Sequence, residues 1–234
     1  MNARDDKQLV KVLDLDASLL AAVPADKRGA ARDALVATTV HVEVGPWDGE
    51  GLGEADALGL LALGGLLTRN VEIAGTHSRE ILGTGDIVRP WDEDSALDPV
   101  PSHTTWTVLE PTRLALLDRR WVLMAARWPE LGDEILHRVM RRSRWLAVLL
   151  AIANLRGVES RVLLLLWHLA GNWGRVTPSG TLVPFGLTHE VIASLVGARR
   201  PSVTTALAAM ERDGKLQRVE EGWLLHADPP TSGG

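Results

Sequence analysis

The segment from Gly186 to Arg218 constrains the fold of this chain more than any other part of its sequence. Thr188 is a good N-cap, and the apolar residues after it recur at the spacing of one buried helix face. Gly197 then permits a tight turn, and Pro201 suits the first turn of a second helix. The segment therefore predicts two helices joined by a tight turn.

The second helix of this pair is basic at its start and rich in hydroxyls. Val203, Leu207 and Met210 give it an inward apolar stripe. Its outward face keeps Arg199, Arg200, Ser202, Thr204 and Thr205. Guanidinium forks and hydroxyls at a helix N-terminus suit the phosphates and base edges of a DNA major groove. The pattern predicts DNA binding, and its alternative is an ordinary helical hairpin with a solvated basic corner.

Two short apolar runs follow this helix. Gly214 is expected to end the helix, and the runs at 216–219 and 223–226 lie on either side of a turn at 220–222. Runs of this length around such a turn are typical of a β-hairpin. We therefore expect the hairpin, or wing, of a winged helix-turn-helix domain.

The absence of cysteine narrows the chemistry of the chain. With no thiol among the 234 residues, disulfides, thiolate-bound iron–sulfur clusters and a cysteine nucleophile are excluded. The longest apolar runs, 146–153 and 162–170, are too short to span a bilayer, and the first residues lack the apolar core of a signal peptide. We expect a soluble, cytoplasmic protein with no membrane partner.

The net charge of −5 is unevenly distributed along the chain. Residues 1–118 carry 20 acidic and 10 basic side chains, residues 119–157 carry 3 and 8, and residues 158–234 carry 7 of each. DNA would repel the acidic first half. This asymmetry predicts two modules with two different tasks.

The first half combines a helical start with many short β-type runs. Residues 7–37 alternate apolar and charged positions at helical spacing and predict short helices, with Leu19, Leu20 and Val23 inward. From 38 to 117, apolar runs separated by Gly, Pro and Asp clusters predict the strands of a small barrel or jelly roll.

A long helical segment follows, from Leu117 to Leu155, with a break near Pro129. Apolar positions then recur at three- and four-residue steps, and a seam of this length needs a partner, either the β domain or a second copy of the chain. The predicted seam consists of Leu131, Ile135, Val139 (or Arg138), Arg142, Leu146, Leu149 and Ala153. Beyond it, residues 158–174 predict a leading helix and residues 177–186 a hairpin.

This order of elements resembles the Crp/Fnr superfamily of bacterial transcription regulators. The resemblance is most specific over Val158–Leu225 and continues more weakly over Leu58–Arg156, where residues 83–86 fit a glycine-aspartate turn of the family's roll. It implies a homodimer that pairs through the long helix and binds a two-fold symmetric operator. By position, Arg200, Pro201, Thr204 and Thr205 would face base edges, and Thr188, Arg199 and Ser202 would meet phosphates.

The predicted fold class is accordingly α+β, with three domains and a tail. An N-terminal β-roll, jelly-roll-like and sensor-like, with short helices occupies residues 1–118, and the long dimerisation helix occupies 119–157. A C-terminal winged helix-turn-helix domain occupies 158–229, and a flexible tail occupies 230–234.

The sequence departs from the family in the effector pocket. Cyclic-nucleotide binders follow the glycine-aspartate turn with a Gly-Glu pair and then an arginine for the phosphate, but here Arg89 is followed by Pro90 and Trp91, and the next arginine is Arg113. Four carboxylates stand in this region: Asp92, Glu93, Asp94 and Asp98. An anion beside several carboxylates loses on the order of 1 kcal/mol per close pair. We therefore expect no control by cyclic AMP.

Nine tryptophans, one phenylalanine and no tyrosine are present. The first interpretation is that they anchor cores and interfaces. The sharper interpretation is an aromatic effector pocket for a neutral or cationic molecule. Its candidate residues are Arg89, Trp91, Trp106, Trp121, Met124 and Trp128.

The sequence carries fewer signals for a metal site, a haem site or an enzyme than for DNA binding. His41, His77 and His103 lie in the roll, but the two-histidine spacing of a cupin metal site is absent and nothing singles out one histidine for haem. No nucleophile elbow or phosphate-cradling loop with a lysine is present. No cofactor is predicted, and the chain is not expected to be an enzyme.

The predicted function is thus sequence-specific transcription regulation by a homodimer on double-stranded DNA, without control by cyclic AMP. RNA polymerase and an unidentified small-molecule effector stay open as further partners. Two alternatives also stay open. One is an effector-gated sensor that binds a small molecule, haem or metal in the roll, and the other is a protein-interaction module that does not bind DNA.

Overall fold

The computed structural model describes residues 3–49, 52, 56–92 and 100–226 of the chain. The chain divides into two compact units, with the boundary between Ser143 and Arg144. The predicted tail at 230–234 and three of the predicted pocket carboxylates, Glu93, Asp94 and Asp98, lie outside the described residues.

The first unit contains an antiparallel sheet of seven strands. They are β1 (Ala3–Lys11), β2 (Val36–Val42), β3 (Gly45–Trp47), β4 (Gly59–Ile73), β5 (Thr76–Gly83), β6 (Ile87–Val88) and β7 (His103–Leu117). The main order is β1-β2-β7-β4-β5, with β3 on β7 and β6 on β4. The predicted β-roll is confirmed.

One glycine permits the bend of strand β4. The register between β4 and β7 shifts around Gly65, whose φ is +87°. A Cβ atom at this position would lie 2.3 Å from the carbonyl oxygen of Pro111. Only glycine therefore combines this backbone angle with so close an approach of the two strands.

The helices of the first unit lie before and after the sheet strands. They are α1 (Val12–Leu15), α2 (Ala17–Ala22), α3 (Arg28–Ala34), α4 (Arg119–Ala125) and the long α5 (Pro129–Ala153), which continues into the second unit, with 3-10 turns at Ala25–Lys27 and Pro90–Asp92. The prediction of helix for residues 7–11 is wrong. Those residues form the end of β1, because they pair with β2, Gln8 opposite Thr39 and Lys11 opposite Val36.

Two apolar clusters form the core of the first unit. One lies between the early helices, α4 and the start of α5, and it contains Leu13, Trp121 and Leu131. The other fills the roll and contains Leu60 and Trp106. The start of α5 is therefore held by its own chain, which limits what its inward face offers to another molecule.

The second unit follows the predicted order of elements. It contains α6 (Val158–Trp173), β8 (Arg175–Thr177), β9 (Gly180–Val183), α7 (His189–Leu195), α8 (Arg200–Arg212), β10 (Leu216–Val219) and β11 (Gly222–Leu225). Its strands form a sheet in the order β10-β11-β9-β8. Both predicted helices of the helix-turn-helix and both predicted hairpins are confirmed.

Local sequence signals set the α7–α8 turn. The hydroxyl of Thr188 accepts a hydrogen bond from the Val191 amide at 3.2 Å, as an N-cap should. Gly197 adopts a φ of +59° at the turn, and Pro201 lies in the first turn of α8. Val203, Leu207 and Met210 are buried as predicted. None of the helices in the described part of the chain is long and apolar enough to cross a membrane.

Candidate nucleic-acid interface

The outward face of α8 begins with a solvated, positively charged turn. Arg199 is the N-cap of α8 and Arg200 its first residue, and both side chains are exposed. No carboxylate lies within ion-pair distance of either guanidinium among residues 3–49, 52, 56–92 and 100–226. The helix dipole adds partial positive charge at the same end. This turn can therefore attract phosphate and present a guanidinium fork to a base edge.

The predicted DNA-contacting residues are all exposed. The structure places Arg199, Arg200, Pro201, Ser202, Thr204 and Thr205 on the start of α8 and Thr188 at the start of α7. They lie on the two helices joined by the Gly197 turn, so one surface of the second unit carries them. Their roles as base or phosphate contacts stay predictions.

Two of the predicted hydroxyls already have partners inside the domain. The Thr204 hydroxyl oxygen lies 3.1 Å from the Arg200 carbonyl oxygen, and the Thr205 hydroxyl lies 3.1 Å from the carbonyl of Pro201. Thr204 Oγ1 also lies 2.9 Å from Nδ1 of His189. Thr204 is thus linked to α7 as well as to its own helix.

A groove of about 600 Å³ lies beside this surface. Its lining residues are Leu187, Thr188, His189, Glu190, Arg200, Glu211, Arg218 and Trp223. The Arg218 guanidinium lies 4.7 Å from the centre of the Trp223 ring and donates to the Leu187 carbonyl at 3.2 Å. The sequence interpretation missed His189 and Arg218 because it considered only the N-cap of α7 and the outward positions of α8.

The predicted aromatic pocket is divided between two cores. Trp106 is buried inside the roll, with Trp91 packed against the same cluster. Trp121, Met124 and Trp128 belong instead to the cluster between the helices. A single pocket formed by all of these residues is therefore wrong, and the tryptophans mainly fill cores, as the first interpretation held.

The roll contains a cavity of about 390 Å³ with three guanidiniums on its wall. It is lined by Arg69, Val71, Ile87, Val88, Arg89, Asp92, Ser102, Thr104, Trp106 and Arg142. Strand β4 supplies Arg69 and helix α5 supplies Arg142, neither of which the sequence argument placed there. The indole N–H of Trp106 is buried and has no acceptor among the described residues.

These three arginines are engaged by the chain itself. The buried Glu80 accepts from Arg142 at 2.7 and 2.9 Å, and Arg69 lies 3.0 Å from the same carboxylate. Arg142 also donates to the carbonyl of Ile87 at 3.0 Å. Arg89 pairs with Asp92 and donates to backbone carbonyls of residues 57 and 58. The cavity wall is therefore a set of formed ion pairs.

A second arginine of α5 is held in the same way. Arg138 donates to both carboxylate oxygens of Asp16, at 2.6 and 2.7 Å, and to Glu134 at 2.9 Å. Burial alone would raise the pKa of Asp16, but hydrogen bonds from Arg138 and from the Leu19 amide outweigh it and hold the pKa below its usual value. The Asp16 carboxylate also caps α2. This pair ties α5 to the N-terminal helices.

The predicted seam of α5 faces mostly inward. Leu131 and Leu149 are buried within the chain, Ile135 packs against the helical core, and Arg142 is bound to Glu80. Leu131 and Leu149 therefore have little surface left for a second copy. Ile135 and Arg142 are half-buried, and their role at a dimer interface stays a prediction. Leu146 and Ala153 are half-buried, and Val139 is exposed.

A different face of α5 carries the exposed apolar side chains. Leu136 and Leu150 are 56% and 66% exposed, and Val139 and Met140 are exposed to a similar degree. Ala147 lies on the same side of the helix and is exposed. This stripe is the apolar surface that α5 offers to a partner.

Metal ligands do not cluster in the described structure. Over residues 3–49, 52, 56–92 and 100–226, no group of three or more histidine, aspartate or glutamate side chains could hold a metal ion.

Comparisons with known proteins agree with this architecture. A family model for the Crp-like helix-turn-helix domain matches residues 160–230. A CRP-like cAMP-activated global transcriptional regulator from Mycobacterium tuberculosis is 33% identical over 152 residues, which cover 63% of this chain and 65% of that protein. The chain thus matches just under two thirds of the length of this relative.

Solved structures share the fold at low sequence identity. A CooA mutant from Carboxydothermus hydrogenoformans has a TM-score of 0.61 and 17% identity, covering 95% of this chain and 93% of that one. A cyclic nucleotide-binding domain containing protein from Listeria monocytogenes has a TM-score of 0.64 and 15% identity, and the match covers 81% of this chain and 89% of that one. A CRP-family transcriptional regulator from Thermus thermophilus has a TM-score of 0.57 and 21% identity, and the match covers 80% of this chain and 91% of that one. The resemblance is confirmed: the chain carries a Crp-like helix-turn-helix domain and has the fold of Crp/Fnr-type regulators.

Proposed function

We propose that this chain is a sequence-specific DNA-binding transcription regulator that acts as a homodimer on a two-fold symmetric operator. The observation that carries the proposal is the start of α8, where Arg199 and Arg200 are exposed and have no carboxylate partner in the described structure. An unneutralised guanidinium pair at a helix N-terminus fits an anionic duplex. No catalytic step is required of the chain.

The DNA contact follows from the geometry of α8. Its apolar underside is buried, so the first turn is held out as a rigid edge that suits a major groove. Arg200 can donate two hydrogen bonds to a guanine, while Arg199 can neutralise a phosphate. Two copies would place two such helices about 34 Å apart on one face of the duplex.

The dimer is proposed to form through the exposed stripe of α5. Leu136, Met140, Ser143, Ala147 and Leu150 follow one another at alternating steps of four and three, which is the spacing of a coiled-coil seam. Several of these side chains are exposed in the single chain. A second copy would cover the stripe with its own and remove it from water.

Control by cyclic AMP is not part of the proposal, although the Mycobacterium tuberculosis relative is described as cAMP-activated. A cyclic phosphate would find Arg142 and Arg69 bound to Glu80, and Arg89 bound to Asp92. To bind there it would have to displace a buried carboxylate from its guanidiniums. This reason replaces the like-charge argument from the sequence, because Asp92 is already neutralised by Arg89.

The roll cavity nevertheless has room for a small effector of another kind. Three guanidiniums and one carboxylate, that of Asp92, lie on its wall, which disfavours a cation. An effector bound in this cavity would thus be neutral. Contact with RNA polymerase stays a prediction.

Selection from a randomised double-stranded DNA library tests the DNA function directly. The purified full chain should enrich sites with two-fold symmetric halves one helical turn apart. Affinity for a selected site should fall steeply with salt, because phosphate neutralisation releases counterions. Failure to enrich any sequence, together with binding that salt does not weaken, would favour a protein-interaction module instead.

Sedimentation tests the dimer. Replacing Leu136 and Leu150 together with glutamate should convert a dimer to a monomer at micromolar concentration, because four leucine side chains lose roughly 6 kcal/mol of burial and gain charge. Leu123, equally exposed but on α4, provides the matched control for a leucine-to-glutamate change. A double variant that stays dimeric would exclude this stripe as the interface.

Calorimetric titration with cyclic AMP and cyclic GMP tests the third part of the proposal. We expect no saturable heat up to millimolar nucleotide. Saturable binding of one nucleotide per subunit in the micromolar range would mean that the ion pairs of Glu80 give way to phosphate, and would overturn the proposed independence from cyclic nucleotides.

A further inference from the structure

We propose that His189 is a positioning residue for the DNA-reading helix and acts through the hydroxyl of Thr204. This inference rests on the proposed DNA binding. His189 is the first residue of α7, and Thr204 lies in the second turn of α8. Nδ1 of the imidazole lies 2.9 Å from Oγ1 of the threonine, so a polar contact joins the two helices on the exposed side of their packing.

The hydrogens of this contact can be assigned by counting donors. The Thr204 hydroxyl has one hydrogen, and its oxygen lies 3.1 Å from the carbonyl oxygen of Arg200, which can only accept. Both bonds form together only when His189 donates from Nδ1. The chain of bonds therefore runs from the imidazole N–H through the threonine hydroxyl to the backbone of Arg200, the residue proposed to read a base.

The imidazole also lies beside the wing. Its ring centre lies 6.3 Å from that of Trp223, which is buried in β11. The Arg218 guanidinium lies over the same indole and donates to the Leu187 carbonyl, two residues before His189. His189 thus connects the start of α7, the reading helix and the wing.

Apolar packing does not supply this kind of restraint. Val203 and Leu207 are buried and hold α8 against the domain core, but apolar burial has no preferred direction. A directional bond from His189 to Thr204 opposes rotation of α8 about its axis. Bidentate recognition of a base needs placement within about 0.5 Å, whereas attraction to phosphates does not. Loss of the bond should therefore weaken operator binding more than non-specific binding.

Four variants of the full chain test the inference on a site selected by the wild-type protein. His189→Ala and Thr204→Val each remove the contact, and the double variant completes a thermodynamic cycle. His189→Asn keeps a donor at the same number of bonds from the backbone as Nδ1 and should rescue binding. His226→Ala is the matched control, because that imidazole bonds the Ser179 carbonyl in the same unit, away from the start of α8.

Each single removal should weaken operator binding about fivefold, and random-sequence binding by less than about twofold, as the loss of one hydrogen bond implies. The double variant should be no weaker than the singles. His189→Asn and His226→Ala should stay within about twofold of wild type. Thermal melts measured in parallel identify any variant that has lost its fold. If His189→Ala is unfolded, operator binding by His189→Asn tests the inference instead.

Two outcomes would overturn the inference while leaving DNA binding intact. One is additive loss in the double variant, and the other is equal loss on operator and random DNA with no rescue by asparagine. Failure of the wild-type chain to select any site is a different result, because it would contradict the proposed function itself.

Discussion

Two sets of arginines, one in each unit of this molecule, have opposite surroundings. In the first unit, Arg69, Arg89, Arg138 and Arg142 are bound to carboxylates of the same chain. In the second unit, Arg199 and Arg200 are exposed and have no carboxylate partner among the residues the structure describes. The same side chain therefore stabilises the fold in one region and is available to a polyanion in the other. The presence or absence of a carboxylate nearby decides which of these two roles an arginine has.

Exposure and charge balance explain the difference. A guanidinium as buried as that of Arg138, which is 8% exposed, needs a counter-charge because isolated burial of an ion is costly. A solvated guanidinium needs none, so it keeps its attraction for phosphate. Four predictions follow this division, from the largest expected effect to the smallest.

Arg138→Gln should have the largest effect. It leaves the buried Asp16 without its guanidinium and Glu134 with only the exposed Arg141, and the free energy of unfolding at pH 7 should fall by about 4 kcal/mol. Guanidinium chloride unfolding measures this change. Arg141→Gln is the control, because Arg141 is exposed and only 3.4 Å from Glu134; it should cost about 0.5 kcal/mol or less.

The same variant makes a prediction about acid. The folded-state pKa values of Asp16 and Glu134 lie below their usual values, although burial opposes this, because Arg138 binds both. Their contribution is therefore present above the unfolded pKa, about 4, and is lost as pH falls through the folded pKa. The stability difference between wild type and Arg138→Gln should shrink between pH 7 and pH 3. A difference independent of pH would show that Arg138 acts by packing alone.

Glu80→Gln should have the next largest effect on stability. Arg142 and Arg69 would lose their shared counter-charge inside the roll, and stability should fall by about 3 kcal/mol. Glu72→Gln changes an exposed carboxylate in the same sheet and should cost about 0.5 kcal/mol or less. If the two variants are equally stable, the roll arginines are less dependent on their partner than the structure indicates.

Arg199→Ala should have the smallest effect, and on DNA binding rather than on stability. Loss of one phosphate contact should weaken binding by about 1 kcal/mol on operator and random DNA alike and reduce the salt slope by about 1. Binding assays over a salt series measure both quantities. A loss confined to the operator would instead assign a base contact to Arg199.

The second unit was predictable from sequence because its signals are local. Thr188 caps α7 by accepting from an amide three residues further on, and Gly197 and Pro201 set the turn within five residues of each other. The buried stripe of α8 follows the helical period. None of these three features depends on a residue distant in sequence.

The first unit was harder because its decisive partners are distant in sequence. Arg138 binds Asp16 across 122 residues, and Arg142 binds Glu80 across 62. A periodicity argument could place Arg142 on the same side of α5 as Leu131, but it could not say that this side meets the roll. The end of strand β1, residues 7–11, was mistaken for helix for the same reason, since its pairing with β2 is not local.

Some features of the candidate site also follow from local sequence, and others depend on distant packing. Exposure of Arg199 and Arg200 followed from the inward stripe of α8, whereas the link from His189 to Thr204 required the packing of α7 on α8. The proposed aromatic pocket could not be tested by pattern, because tryptophans in two separate cores look alike in sequence.

Arg200→Ala, measured on the selected operator and on random DNA at one salt concentration, tests the central claim most directly. We predict a loss of about 1–3 kcal/mol on the operator, a much smaller loss on random DNA and an unchanged unfolding free energy. Equal losses on the two DNAs would make Arg200 a phosphate contact. Unchanged operator affinity would contradict the account that the exposed arginines of α8 read DNA.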